Sequence, residues 1–195
     1  IAISVVVIVI MIGMASLLNA NVVHKKSQDM RSIMDNLSFI MDDISRNLRT
    51  GSNYYCITGG DTLSNVSTPK NGQSCWGIAF ECSDPLTCNS ANPNDQWVYY
   101  VDNTGKVFKS TQGPYTTINS FVQLTPNEVT VTGNVGGVQV SGFSVLGAEA
   151  PDDGDLQQPF AIIELTGNIN YKNIITPFSL QASVSQRLVD RIVTP

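Results

Sequence analysis

The chain has 195 residues, 42% of them hydrophobic and only 14% charged, with a formal net charge of −5. That length suits one domain, or one domain with an appended element, and is enough to bury a core. Five lysines and arginines stand against four acids over residues 1–50, and six against twelve over residues 51–195, so the body is acidic without a basic cluster and capture of a nucleic-acid backbone has no electrostatic support.

Ile1–Leu18 (IAISVVVIVIMIGMASLL) carries no charge, and only Ser4, Gly13 and Ser16 interrupt its apolar run. As a helix it would span about 27 Å, close to the hydrocarbon thickness of a bilayer. Signal-peptide apolar regions are shorter and are followed by a small-residue cleavage site; no clear site follows here, so the segment is expected to belong to the working protein. His24, Lys25 and Lys26 come next and read as membrane-interface residues.

The pattern then becomes one-sided. Met30, Ile33, Met34, Leu37, Met41, Ile44 and Leu48 recur at spacings of three and four, with Asp29, Arg31, Asp35, Asp42, Asp43, Arg46 and Arg49 filling the other side. Neither Pro nor Gly occurs between Ala15 and Thr50, so one helix is expected over residues 1–50, ending at Gly51. Its first part, 1–20, is apolar all round. Its second, 21–50, has a stripe that can lie on a sheet, here through Ile33, Leu37, Ile40 and Ile44. Phe39 lies off that stripe, open to a neighbouring subunit or to a satellite contact within the same one.

Residues 51–95 read as a loop region rich in Ser, Asn, Gly, Thr and Pro, with two short strand candidates at Tyr54–Ile57 and Cys75–Phe80. All four cysteines, Cys56, Cys75, Cys82 and Cys88, fall here. An even, clustered count reads as disulfides formed outside the cytosol; zinc fails because there is no C-x-x-C pair and the single His is far away. Cys82 with Cys88 and Cys56 with Cys75 is the expected pairing among three possible connectivities, since a short loop containing Pro85 suits a local bridge.

From Gln96 to residue 195 the period is two. Trp97–Val101 and Lys106–Lys109 flank Asp102-Asn103-Thr104-Gly105, a hairpin signature. Further strands are expected at Phe121–Leu124, Glu128–Thr132, Val138–Val145, Phe160–Thr166 and Phe178–Leu188, separated by turns that include Gly133, Gly136-Gly137 and Gly167. In the last strand Phe178, Leu180, Ala182, Val184 and Leu188 share one face and Ser179, Gln181, Ser183, Ser185 and Arg187 the other, which describes a sheet packed on one side and wet on the other. The fold class expected is α+β, a long N-terminal helix packed on a C-terminal antiparallel sheet.

A helix apolar in front and amphipathic behind, followed by a disulfide-bearing antiparallel sheet, resembles the type IV pilin and type II secretion pseudopilin superfamily. Met41-Asp42-Asp43-Ile44-Ser45-Arg46-Asn47-Leu48-Arg49 resembles the corresponding helical stretch of minor pseudopilins, and Phe178-Ser179-Leu180-Gln181-Ala182-Ser183-Val184-Ser185-Gln186-Arg187 is similar to the closing strand of pilin-like proteins. The resemblance implies a structural subunit of an extracellular filament, not an enzyme. It would be anchored in the inner membrane before assembly, handled by a pilus assembly machinery, and packed at the bacterial cell surface against other copies through Ile3, Val7, Ile10, Met14 and Leu17. A minor pilin or pseudopilin at a filament tip, binding a partner, cargo or DNA, is the alternative it implies. Mature pilins usually begin Phe-Thr-Leu-Ile-Glu, whose Glu pairs with a neighbour's N-terminal amine; here the first acid is Asp29 and the first Glu is Glu81, so either the natural start lies upstream, which is the expectation, or the subunit packs without that pair. The usual helix-breaking Pro is also absent, which leaves Gly13 as the candidate for local unwinding.

No catalytic, cofactor-binding or metal-ligating set emerges. Acyl transfer needs a nucleophile, a base and an orienting group, and His24 beside two lysines offers none of that company. Asp152, Asp153 and Asp155 read as a solvated turn, and their spacing matches no EF-hand. Phosphate-loop and dinucleotide motifs are absent. Of two sequons, Asn36-Leu37-Ser38 falls on the packed helix and Asn65-Val66-Ser67 in an exposed loop. Trp97, Tyr99, Tyr100, Phe108 and Tyr115 form the densest aromatic group, read as cross-strand packing ahead of a carbohydrate or DNA platform.

Overall fold

A computed structural model describes residues 2–59, 61, 68–83, 88, 95–113, 121–135, 138–139, 141–149 and 157–187. Helix α1, Ala2–Thr50, is followed by twelve described strands. The architecture is α+β, with all of these strand pairs antiparallel. Two compact units result, residues 1–37 and residues 38–195. Ile40, Met41, Ile44 and Leu48, in the last part of the helix, are buried as part of the strand-bearing unit.

The end of α1 shows why the helix stops at Thr50. Gly51 N donates to Asn47 O and Leu48 O, the Tyr54 hydroxyl bonds Leu48 O and Gly51 O, and Gln186 Nε2 donates to Gly51 O at 2.8 Å. Arg187 N also reaches Arg49 O at 2.8 Å. Carbonyls that a helix leaves unpaired at its C-terminus are thus taken up by Tyr54 and by Gln186 and Arg187, while Arg49 complements the helix dipole.

Five strands form the first sheet in the order β1 (Ser52–Ile57), β3 (Gly77–Glu81), β4 (Trp97–Val101), β5 (Val107–Ser110), β6 (Val122–Gln123). The second runs β12 (Ile174–Ser185), β11 (Phe160–Tyr171), β10 (Gly142–Leu146), β2 (Gly72–Cys75), with β7 (Val129–Val131) also paired to β11. A small hairpin joins β8 (Asn134–Val135) to β9 (Val138–Gln139). Residues 51–95, expected as stapled loop with two short strands, carry β1, β2 and β3. The expected Cys75–Phe80 strand is interrupted at Trp76, where the chain leaves one sheet for the other. Likewise Val138–Val145 divides into β9 and β10.

The disulfides are Cys56–Cys75 and Cys82–Cys88, as the loop lengths suggested. Cys56 lies in β1 and Cys75 in β2, so this bridge ties the two sheets together. Gly72 makes room for it, since a Cβ there would stand 2.2 Å from Cys56 Sγ.

The closing hairpin is longer than its sequence advertises. β11 and β12 pair without a break from Phe160↔Ser185 to Tyr171↔Ile174, and the turn is Lys172-Asn173, with φ of 48° and 64°. Gly167, expected at a turn, lies inside β11. It is needed there because β7 comes close, and an added Cβ would meet Thr130 O at 2.2 Å. Side chains alternate as expected, with Ala161, Ile163, Leu165 and Ile169 buried beside Phe178 and Val184, and Ser179, Gln181, Ser183 and Ser185 exposed.

Candidate functional site

Two features have the makings of a functional site: the apolar front of α1 and the polar contacts where the back of α1 meets the first sheet.

The front of α1 is long and apolar enough to cross a membrane by length and composition, and none of that window is buried within the chain. Of the residues expected to pack, Ile3 is 82% exposed, Val7 49%, Ile10 52%, Met14 63% and Leu17 68%. Val5, Val6, Met11, Ile12, Leu18, Val22 and Val23 are exposed as well. At 100° per residue these positions lie widely around the helix, so no single intrachain face could cover them. Gly13 continues the helix without interruption, and a methyl group added there would meet nothing within 4 Å. His24 and Lys25 are exposed directly behind this run.

Further along, the pattern changes as the periodicity requires. Ile33, Leu37, Ile40, Met41, Ile44 and Leu48 are all buried. Phe39 is 72% exposed, which removes the satellite contact within the same subunit. Asn36 is exposed while Leu37 beside it is fully buried; Asn65 to Ser67 lie outside the described residues.

Asp43, expected on the polar side of the helix, is instead turned to the first sheet. Its carboxylate accepts from the Tyr99 hydroxyl at 2.8 Å, from Lys109 Nζ at 2.9 Å and from Asn47 Nδ2 at 3.1 Å. Asn47 also donates to the Tyr99 oxygen at 2.7 Å. Burial works to raise the Asp43 carboxyl. Hydrogen bonds from Lys109, Tyr99 and Asn47, together with the Lys109 charge, outweigh it and hold the group below its ordinary value. Burial and the neighbouring Asp43 push the Tyr99 phenol well up, so it remains a donor. This cluster fixes the roll of the helix on the sheet.

The aromatic group divides between two faces of that sheet. Tyr99 stacks on Phe80, and Trp97 tilts against it, on the side that meets the helix. Tyr100 stacks on Phe108 and meets Trp76 and Phe121 edge-on, on the opposite side. It is packing on two faces, not one platform. Tyr115 lies outside the described residues, as do Asp152, Asp153 and Asp155.

A hollow of about 390 Å³ is lined by Trp76, Val101, Asp102, Asn103, Gly105, Val131, Gly133 and Ser141. The charged member of that lining, Asp102, is spent on its own turn, accepting from Thr104 N and Lys106 N at 3.0 and 2.7 Å. Ser141 is likewise satisfied by Thr166. Among the described residues no group of three or more His, Cys, Asp or Glu side chains could hold a metal ion. The chemistry of the described surface is therefore dominated by apolar area at the front of α1. No protein-family profile, curated protein or solved structure matches this chain.

Proposed function

We propose that the chain is a structural subunit of a type IV pilus-like extracellular filament, held in a membrane by the front of α1 before assembly and packed against other copies through the same surface afterwards. One observation supports this reading above the others: a single helix is wholly exposed and apolar in front and buried on one side behind. The exposed part must be covered by lipid or by several neighbouring helices, since an apolar surface of that extent is not stable in water. Two disulfides support a body that folds outside the reducing cytosol.

Assembly is then an exchange of lipid contacts for contacts with identical helices, favourable to the extent that packing among helices exceeds packing against acyl chains. Ile3, Val7, Ile10, Met14 and Leu17 are the residues that would make it. The test is Val7→Asp, examined by electron microscopy of sheared surface appendages with mass spectrometry of the main band. A carboxylate at the centre of such a segment costs about 2.5–3.5 kcal/mol on insertion scales and more in a packed core without a partner. Filaments are expected to disappear while the strand-bearing unit stays folded. Normal filament yield from Val7→Asp would sink the proposal, and wild-type protein found only in traces would assign the chain to a filament tip.

A further inference from the structure

Glu81 closes β3 and Gln96 immediately precedes β4. Because Phe80 pairs with Trp97 in the β3–β4 register, the next step outward places Glu81 opposite Gln96 on the same side of the sheet. Glu81 is 5% exposed and Gln96 1%. Gln96 Nε2 donates to Glu81 Oε1 at 2.9 Å. The remaining polar atoms of the same two side chains, Glu81 Oε2 and Gln96 Oε1, are buried and have no hydrogen-bond partner among the described residues.

As a carboxylate beside an amide, both leftover oxygens are acceptors, and each buried acceptor left unsatisfied carries the full penalty of its lost hydration. Turning the amide over does not help, since its carbonyl would then face Glu81 Oε1. A single proton on Glu81 Oε2 resolves both, by donating to Gln96 Oε1 and completing a two-bond acid–amide ring. We infer that Glu81 is held as a neutral carboxylic acid locked to the Gln96 carboxamide, forming a pH-sensitive latch across the ends of β3 and β4, next to the Cys82–Cys88 bridge.

The surroundings agree with a neutral acid. Among the described residues, the groups facing Glu81 are Gln96 at the head of β4, Asp95 just before it, and Ser52, its uncharged partner in β1. No cationic side chain among the described residues is bonded to Glu81; Lys70 and Lys109 pair with Asp61 and Asp43. Burial, and secondarily the charge of Asp95, raise the Glu81 carboxyl against the opposing effect of the Gln96 bond.

The sign follows from linkage. A carboxyl raised in the folded state binds its proton more tightly there than in the unfolded chain. Its contribution to stability is complete below the unfolded value of about 4.3 and is lost as pH climbs through the folded value. Over that window the unfolding constant rises by up to about tenfold per pH unit.

Full-length protein in neutral detergent micelles tests the latch by two measurements. The first is a carboxyl-carbon NMR titration of Glu81 in the wild type. The second is the denaturation midpoint of the wild type and of Glu81→Gln from about pH 4 to 9, a range that spans the ordinary glutamate value and the raised one. Gln at this position supplies an N–H where the acid supplies its O–H, so the ring is kept without a titrating proton. The Glu81 carbon should titrate well above the ordinary glutamate range, and the wild type should lose stability relative to Glu81→Gln as pH rises. Titration of that carbon near about 4.3, or identical pH profiles for the two proteins, overturns the inference. So does stabilisation of the wild type, but not of Glu81→Gln, by millimolar calcium chloride, because a cation and not a proton would then join the two oxygens. Should Glu81→Gln fail to fold, the wild-type titration decides alone.

Discussion

Removing the Cys56–Cys75 bridge should weaken the domain more than any other change to its covalent framework. The two cysteines are 19 residues apart and fully buried, and they join β1 of one sheet to β2 of the other. Loop-closure entropy for a ring of about 20 residues corresponds to roughly 3 kcal/mol, against roughly 2 kcal/mol for the Cys82–Cys88 ring, whose ends are six residues apart. β2 meets β10 through the pairs Phe143↔Cys75 and Val145↔Gly72, with an irregularity between them, and through the Ser144 hydroxyl, which donates to Gln73 O at 2.7 Å. Cys56→Ala with Cys75→Ala is therefore expected to cost about 3 kcal/mol, and to do so locally. Urea denaturation followed by the fluorescence of Trp76 and Trp97 measures the total, with the slope unchanged if unfolding stays two-state. Hydrogen exchange locates it, with β2 and β10 amides losing protection before those of β4 and β5. A loss under about 1 kcal/mol, or one smaller than that of the Cys82→Ala, Cys88→Ala double variant, would refute the view that this bridge is what couples the sheets.

Asp43→Asn should cost about 1–3 kcal/mol at neutral pH by weakening the bonds to Lys109 and Tyr99. Since the Asp43 carboxyl is held low in the folded state, that contribution is present above the unfolded value of about 3.9 and fades as pH falls through the folded one; the gap between the two proteins in acid titrations of stability should close accordingly. Gly167→Ala should cost about 1–3 kcal/mol, because the new methyl meets the β7 backbone at Thr130 and Val131 before it meets the Phe178 ring, and β7 amides should lose exchange protection first. A form of the protein beginning at Val23 should be soluble, monomeric by light scattering and close to full stability; unfolding or aggregation of that form would make the front of α1 part of the domain core.

The sequence was sufficient wherever a local rule decides the outcome. Helix α1 could be traced to Thr50 because no Pro or Gly interrupts it after Ala15 and because its apolar residues keep a period near 3.6. The β4–β5 hairpin was visible in Asp102-Asn103-Thr104-Gly105, and β12 in its alternation. The pairing of the four cysteines followed from the shortness of the Cys82–Cys88 loop. In each case the controlling interaction lies within a few residues along the chain, where spacing and turn chemistry are written directly.

What failed to show is what depends on segments far apart in sequence. Gly167 has the look of a turn residue, yet it is a strand glycine because β7, from well upstream in the chain, approaches its α-carbon; the real turn at Lys172-Asn173 carries no glycine to announce it. The aromatic residues of β4 and β5 are adjacent in the chain, but the pleat sends Tyr99 to one face and Tyr100 to the other. Asp43 sits at the border of the helix stripe, and only the placement of Tyr99 and Lys109 on the sheet decides that it faces inward. Glu81 and Gln96 meet through strand register, which no local pattern of either segment contains. Periodicity fixes which side of an element is apolar; which neighbour that side meets is decided by the packing of the whole chain.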